Sequence, residues 1–302
     1  MSRGHFGLSS SRPRSQGRKY IAIVLGISIS SWAKPVSAVT ADTTTWTLQE
    51  IGDVVAGHSG TTYLELLQQV MPDLDDKGGG RLSKPLRHIA SGYGGEPPMS
   101  LDIGSLRVLA FMAEGRRHIA VLTGIGSVEA TVEQPVLLAV FDDEHNPKLL
   151  DAVDIGMDRD TSYGTPALVD IGRENEALVT RSSHFNSSEG FATTALIMLQ
   201  RSKLTLIDTF STYGVRVCGA STQQVLGLEG RPTQAKEFDI LVVIEERAEP
   251  TGETCDGESP DAAPVTRAET VYRWDGKAMN FRAMSDALEK LQLRTAEQIG
   301  GP

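Results

Sequence analysis

Nine consecutive residues, Arg181, Ser182, Ser183, His184, Phe185, Asn186, Ser187, Ser188 and Glu189, concentrate more polar chemistry than any other stretch of the chain. They crowd together a base, several hydroxyls, a carboxylate and an amide. Nucleophilic catalysis needs a hydroxyl beside a general base that an acid orients, which makes Ser183, His184 and Glu189 the candidates for such a role. Adjacent side chains of an extended segment point to opposite faces, however, so Ser183 and His184 do not meet merely by being neighbours. The mature chain also holds no Gly-x-Ser-x-Gly elbow. The competing reading is a polar turn whose side chains satisfy backbone groups, with Arg181, His184 and Asn186 available for contact with a partner. Asn186, Ser187 and Ser188 form a sequon, which matters only in a host that glycosylates exported proteins.

A second cluster is Asp154, Asp158 and Asp160, with Asp151 nearby. Oxygen-rich loops bind calcium, but this spacing fits neither an EF-hand nor an Asp-x-Asp-x-Asp-Gly loop, so a solvated turn is the competing reading. The histidines His58, His88, His118, His145 and His184 show no H-x-x-x-H or H-E-x-x-H pattern, so a zinc site would require distant residues to meet in space. Gly124 and Gly126 start a dinucleotide-like fingerprint, but Glu129 stands where its third glycine belongs. No cofactor is therefore expected.

The elements that would position these residues are strands. From Leu101 onward, runs rich in Leu, Ile, Val and Thr alternate with turn residues. Ser105 to Ala113 and Arg117 to Thr123 flank a three-residue loop, Glu114 to Arg116. Pro135 to Phe141 pairs with Lys148 to Asp154, Ala167 to Ile171 with Ala177 to Ser182, and Thr193 to Gln200 with Leu204 to Phe210. Glu237 to Arg247, Arg267 to Trp274 and Ala278 to Ala283 follow, the last two joined by a two-residue turn at Asp275 and Gly276. The expected fold is mainly β, an antiparallel meander of about eleven strands, propeller-like or a sandwich, with one helix near each end. Thr193 to Gln200 is apolar on both faces and is expected to be central. Thr62 and Glu65 have capping-box spacing before Tyr63, Leu66, Leu67 and Val70, which predicts the N-terminal helix. Ser285 is the expected cap of the C-terminal helix, with Leu288 and Leu291 on its buried face. The acidic, proline-bearing run 248–264 reads as an exposed loop.

The start of the chain reads as a secretory signal peptide. Arg3, Arg12, Arg14, Arg18 and Lys19 precede an uncharged apolar run of 13 residues, 20 to 32, and small residues follow at Val36, Ser37 and Ala38. The run is shorter than the roughly 20 residues a membrane helix needs, so the expected mature form begins after Ala38 or Ala41 and has no membrane span. The segment 1–38 holds six of the 29 basic residues and none of the 39 acidic ones, which leaves 23 against 39, a net charge of −16. That charge opposes nucleic-acid and anionic-lipid partners. The expected organisation is a signal peptide (1–38), an N-terminal helical and loop cap (39–100), a β-meander domain (101–284) and a C-terminal helix and tail (285–302).

Cys218 and Cys255 are the only cysteines. In an oxidising compartment they are expected to form a disulfide, and their separation does not suggest a redox pair. Such a bridge would stabilise the fold by roughly 4 kcal/mol in the chain-entropy model.

The run SSHFNSSEGFATTALIMLQRSKLTLIDT, with TTYLELLQQVMPDL and YRWDGKAMNFRAMSDALEKL, resembles a set of exported bacterial β-rich proteins of unknown function. The resemblance covers most of the mature chain and implies export, but no activity, ligand or catalytic residue. The hairpin rhythm is also similar to that of propeller-blade repeats. The functional expectation is a periplasmic or secreted, non-enzymatic binding or envelope-associated module. It would engage an unknown protein or small-molecule partner through loops at one end of its sheet. The alternatives are a hydrolase or metal-dependent enzyme using the 181–189 loop, and a scaffold that oligomerises through a sheet edge.

Overall fold

A strand with one wet face alternates apolar and polar residues, whereas a strand covered on both faces loses the polar positions. The chain uses both patterns, and their distribution sets its layers. The computed structural model describes residues 46–82, 84–94, 100–126, 134–217, 219–250 and 265–299. The signal-peptide segment, Cys218 and Cys255 lie outside the described residues.

The first part builds a six-stranded sheet. After β1 (Thr47–Gln49) comes helix α1 (Tyr63–Gln68), then the short strands β2 (Gly79–Gly80), β3 (Arg87–His88) and β4 (Leu101–Asp102). Strands β5 (Leu106–Ala113), β6 (Arg116–Gly124), β7 (Val136–Asp142) and β8 (Leu149–Asp154) form an antiparallel meander. The sheet order is β1-β5-β6-β7-β8-β3, with β3 parallel to β8, and β2 pairs only with β4. The capping box forms as expected: Thr62 Oγ1 accepts from Glu65 N at 3.3 Å, and Thr62 N donates to Glu65 Oε2 at 2.7 Å. Tyr63, Leu66, Leu67 and Met71 cover one face of the sheet, over Ile119, Val121, Leu137 and Phe141.

The second part is an eight-stranded antiparallel meander in which every strand pairs with its sequence neighbour. Its strands are β9 (Asp160–Gly172), β10 (Asn175–Phe185), β11 (Glu189–Gln200), β12 (Lys203–Val217), β13 (Ala220–Arg231), β14 (Asp239–Pro250), β15 (Thr266–Asp275) and β16 (Asn280–Ala283). Helix α2 (Ala287–Ile299) ends the described chain.

Strands β9 to β12 form a middle layer. One of their faces packs on the first sheet, with Leu178, Ala195, Ile197 and Leu204 against Leu109, Phe111, Leu122 and Leu138. Their other face packs on the folded-over β14–β16 and on α2, with Val179, Leu196, Met198 and Phe210 against Ile240, Val242, Tyr272 and Leu291. The fold-over occurs between β12 and β13, which pair through only four residue pairs, Gly214–Gln223 to Val217–Ala220. Beyond them β12 stays on β11 and β13 on β14. Strand β13 and the connection that follows it then approach β9, where Gly172 bridges Glu237 and Phe238 N donates to Ile171 O at 2.9 Å. Even so, β9 and β16 remain the edges and the sheet is not a closed barrel.

Several local expectations are corrected. The β5–β6 turn has two residues, Glu114 and Gly115, both at positive φ (52° and 76°), the condition for a type I′ turn. The β15–β16 connection has four residues, 276–279, because Asp275 Oδ1 accepts from the backbone N–H groups of Lys277 and Ala278 and turns the chain wider. Ser285 does not cap α2. Its hydroxyl bonds Thr270 Oγ1 at 2.8 Å, and Asp286 O takes the first helical bond from Lys290 N. The largest omission is β13, ASTQQVLGLEGR, whose polar residues and two glycines hide its strand character.

At one end of the layers three turns interlock. Glu114 Oε1 accepts from Arg201 N at 2.6 Å, Gly115 N donates to Glu174 O at 3.3 Å, and Met112 N donates to Glu176 Oε2 at 2.6 Å. His118 lies buried near this end with its ring 5.5 Å from Phe111, and its Nδ1–H donates to Arg116 O. Burial lowers its pKa below the ordinary 6.5, a tendency that the Arg116 carbonyl and the Glu114 and Asp142 carboxylates oppose. The unfolded chain therefore binds this proton more tightly than the fold, so the stability His118 confers is present above pH ~6.5 and is lost as pH falls through the lower folded value. Urea midpoints should fall between pH 7.5 and 5.5, and His118→Asn, though less stable at neutral pH, should flatten that slope.

Candidate functional site

Strand β10 runs through Phe185, so residues 181–185 are strand and only 186–188 turn. Its register brings His184 opposite Phe191, which lies opposite Tyr213 on β12. The three rings form a ladder: His184 stacks on Phe191 at 5.0 Å, and Phe191 tilts against Tyr213 at 5.7 Å. The Tyr213 phenol is pushed up, by burial first and then by the Glu189 and Glu246 carboxylates.

His184 Nδ1 lies 2.5 Å from Asp158 Oδ2, where a ring N–H donates to the carboxylate. This is the base-and-orienter half of a catalytic arrangement. The nucleophile half is missing among the described residues. Ser183 follows the alternation to the opposite face, where it pairs with Ala192 and Asp160. Ser182 shares His184's face, but its hydroxyl bonds Thr161 Oγ1 at 2.8 Å and accepts from Met157 N. Asn186 and Glu189 close the turn: Asn186 Oδ1 accepts from Ser188 N and Glu189 N, and its Nδ2 donates to Glu189 Oε2.

The carboxylates are dispersed and employed locally. Asp154 Oδ1 accepts from Val136 N and Gly156 N, both at 2.9 Å, and so fixes the end of β8. Asp158 holds His184, and Asp160 begins β9. Asp151 receives Arg87 Nη2 and Leu204 N, both at 2.8 Å, linking the first sheet to β12. Among the described residues no group of three His, Cys, Asp or Glu is placed to hold a metal ion.

Two polar assemblies have no local signature in the sequence. His58 Nε2 lies 2.5 Å from Asp143 Oδ1, and Arg117 Nε sits 3.2 Å from the other oxygen of that carboxylate. On the face of the middle layer opposite His184, Arg181 joins Ser162, Thr194 and Thr212 at the wall of a cleft. Ser162, Arg181 and Thr194 are aligned by the register of β9, β10 and β11, whereas His58 and Asp143 lie outside the strands and meet only through the tertiary fold. Compared with protein-family models, with curated proteins and with solved structures, the chain matches none.

Proposed function

We propose that this protein is an exported, non-enzymatic binding module that engages its partner at the end of the meander where β9 to β13 carry polar side chains. Support for export is the basic, apolar and small-residue order of the first 38 residues, together with the resemblance to exported bacterial β-rich proteins. The reading as a binder rests on one observation. His184 has its orienting Asp158 but no hydroxyl to activate, since Ser183 faces away and the Ser182 hydroxyl is bonded to Thr161.

The His184–Asp158 pair keeps a second reading in play, a base that activates water for hydrolysis. General-base catalysis contributes about 10²–10⁴-fold. Hydrolysis of p-nitrophenyl acetate by the purified protein should be slow, non-saturable and equal in His184→Ala. Saturable turnover that falls at least 100-fold in His184→Ala and in Asp158→Asn would establish the enzyme instead.

A further inference from the structure

Where β13 crosses over β9 to β12, at the end remote from the Glu114 turn, the layers leave a cleft of about 320 Å³. Its floor is the face that holds Val179 and Phe210 in the third core, and toward the cleft that face turns polar. Strand register sets Ser162, Arg181 and Thr194 side by side across β9, β10 and β11. Thr212 follows Phe210 by two residues on β12 and so shares its face. Gln223 of β13 lines the opposite wall.

Three features distinguish this cleft. In a chain of net charge −10, it is lined by no acidic residue, and Arg181 is the one charged group at its wall. Arg181 has no ion-pair or hydrogen-bond partner among the described residues. A wider groove of about 600 Å³ differs in this respect, because its Arg116 and Arg117 are offset by Glu114, Asp142, Asp143 and Glu144. Second, Thr194 and Thr212 present at the cleft hydroxyls that bond no other described group, and Tyr163, 4% exposed and also in the lining, has a buried hydroxyl with no partner among the described residues. Buried hydroxyls are normally satisfied, and the unsatisfied Tyr163 hydroxyl belongs to the lining of this cleft. Third, Val179 and Leu226 add an apolar strip to the lining.

We propose that this cleft binds a small organic monoanion whose carboxylate is held by Arg181 and whose polar body is held by Thr194, Thr212 and Gln223. This rests on reading the protein as a binder and names the class of compound bound. The guanidinium fork matches a carboxylate edge with two parallel hydrogen bonds. One unpaired positive charge balances one negative charge, and the acidic surface disfavours a more highly charged ligand such as a phosphate dianion. The cleft has the volume of about ten water molecules at ~30 Å³ each, enough for an acid no larger than a hexose.

Saturation-transfer NMR and calorimetry with D-glucuronate and L-lactate test this, with D-glucose and lactamide as neutral counterparts and inorganic phosphate as a competing anion. At least one of the two carboxylates should bind, its neutral counterpart and phosphate at least tenfold more weakly. Arg181→Gln should weaken that binding at least tenfold and Thr194→Val at least threefold, with Arg181→Lys in between. Arg181 is exposed, so its variants should melt as the wild type does. The proposal is overturned if neither carboxylate binds, if the neutral compound binds equally, or if Arg181→Gln binds as the wild type does. The same spectra followed for a day separate the two levels of the reading. An unchanged ligand fits a binder, whereas conversion to product would remove the non-enzymatic reading while leaving the site in place.

Discussion

Leu196→Ala and Ile197→Ala should each destabilise the protein by about 2–5 kcal/mol, the range for truncating a fully buried aliphatic side chain. The two residues are neighbours on β11 and both are 0% exposed, but they damage different cores. Ile197 packs between the two sheets, whereas Leu196 packs toward β14, β15 and α2. Urea denaturation should show comparable losses from the two variants. Phe185→Ala, at the 65% exposed end of β10, should change stability by no more than about 0.5 kcal/mol. A loss under about 1 kcal/mol from either core variant would mean that β11 is not covered on both sides.

Gly230→Ala should be nearly as damaging, for a different reason. A Cβ at Gly230 would lie 2.0 Å from Asp170 O, a backbone atom that cannot rotate away. Strand β13 must then separate from β9, and overpacking of this kind costs about 1–3 kcal/mol or more. The amides of Phe238 and Arg173, which donate to Ile171 O and Lys236 O, should exchange faster in the variant. Gly227→Ala is the control on the same strand: the nearest atom to its added methyl is Val243 Cβ at 3.8 Å, so its melting temperature should stay close to wild type.

The parts legible in the sequence were those with a local cause. Apolar alternation marked the β5–β8 strands and both halves of the β11–β12 hairpin, and Thr62 with Glu65 marked the start of α1. The polar ends of β10 and β11 read as loop because residues 183–192 carry Ser, Asn and Gly, which propensity assigns to turns. In the fold they are strand residues whose side chains serve a cleft and a surface ladder. Strand β13 was missed for the same reason. The cleft around Arg181 was beyond reach of local reasoning, because Gln223 comes to line it only once β13 has crossed the middle layer. His184 and Asp158 are 26 residues apart, and a register shift between Leu178 and Thr180 intervenes, so simple hairpin counting does not align them.

The four-strand middle layer has a consequence for dissection of the molecule. Because β9 to β12 form a wall common to two cores, cutting the chain near the β12–β13 turn yields no self-sufficient piece. The amino-terminal fragment would keep its inter-sheet core but expose Val169, Ile171, Ala177, Leu196, Met198 and Phe210 as one apolar surface, a surface prone to association. The carboxy-terminal fragment would be left with four strands, β13 to β16, and a helix that have nothing to close against. The described part of the chain is thus one compact unit, and subdividing it for expression or for domain grafting would have to spare the β12–β13 connection.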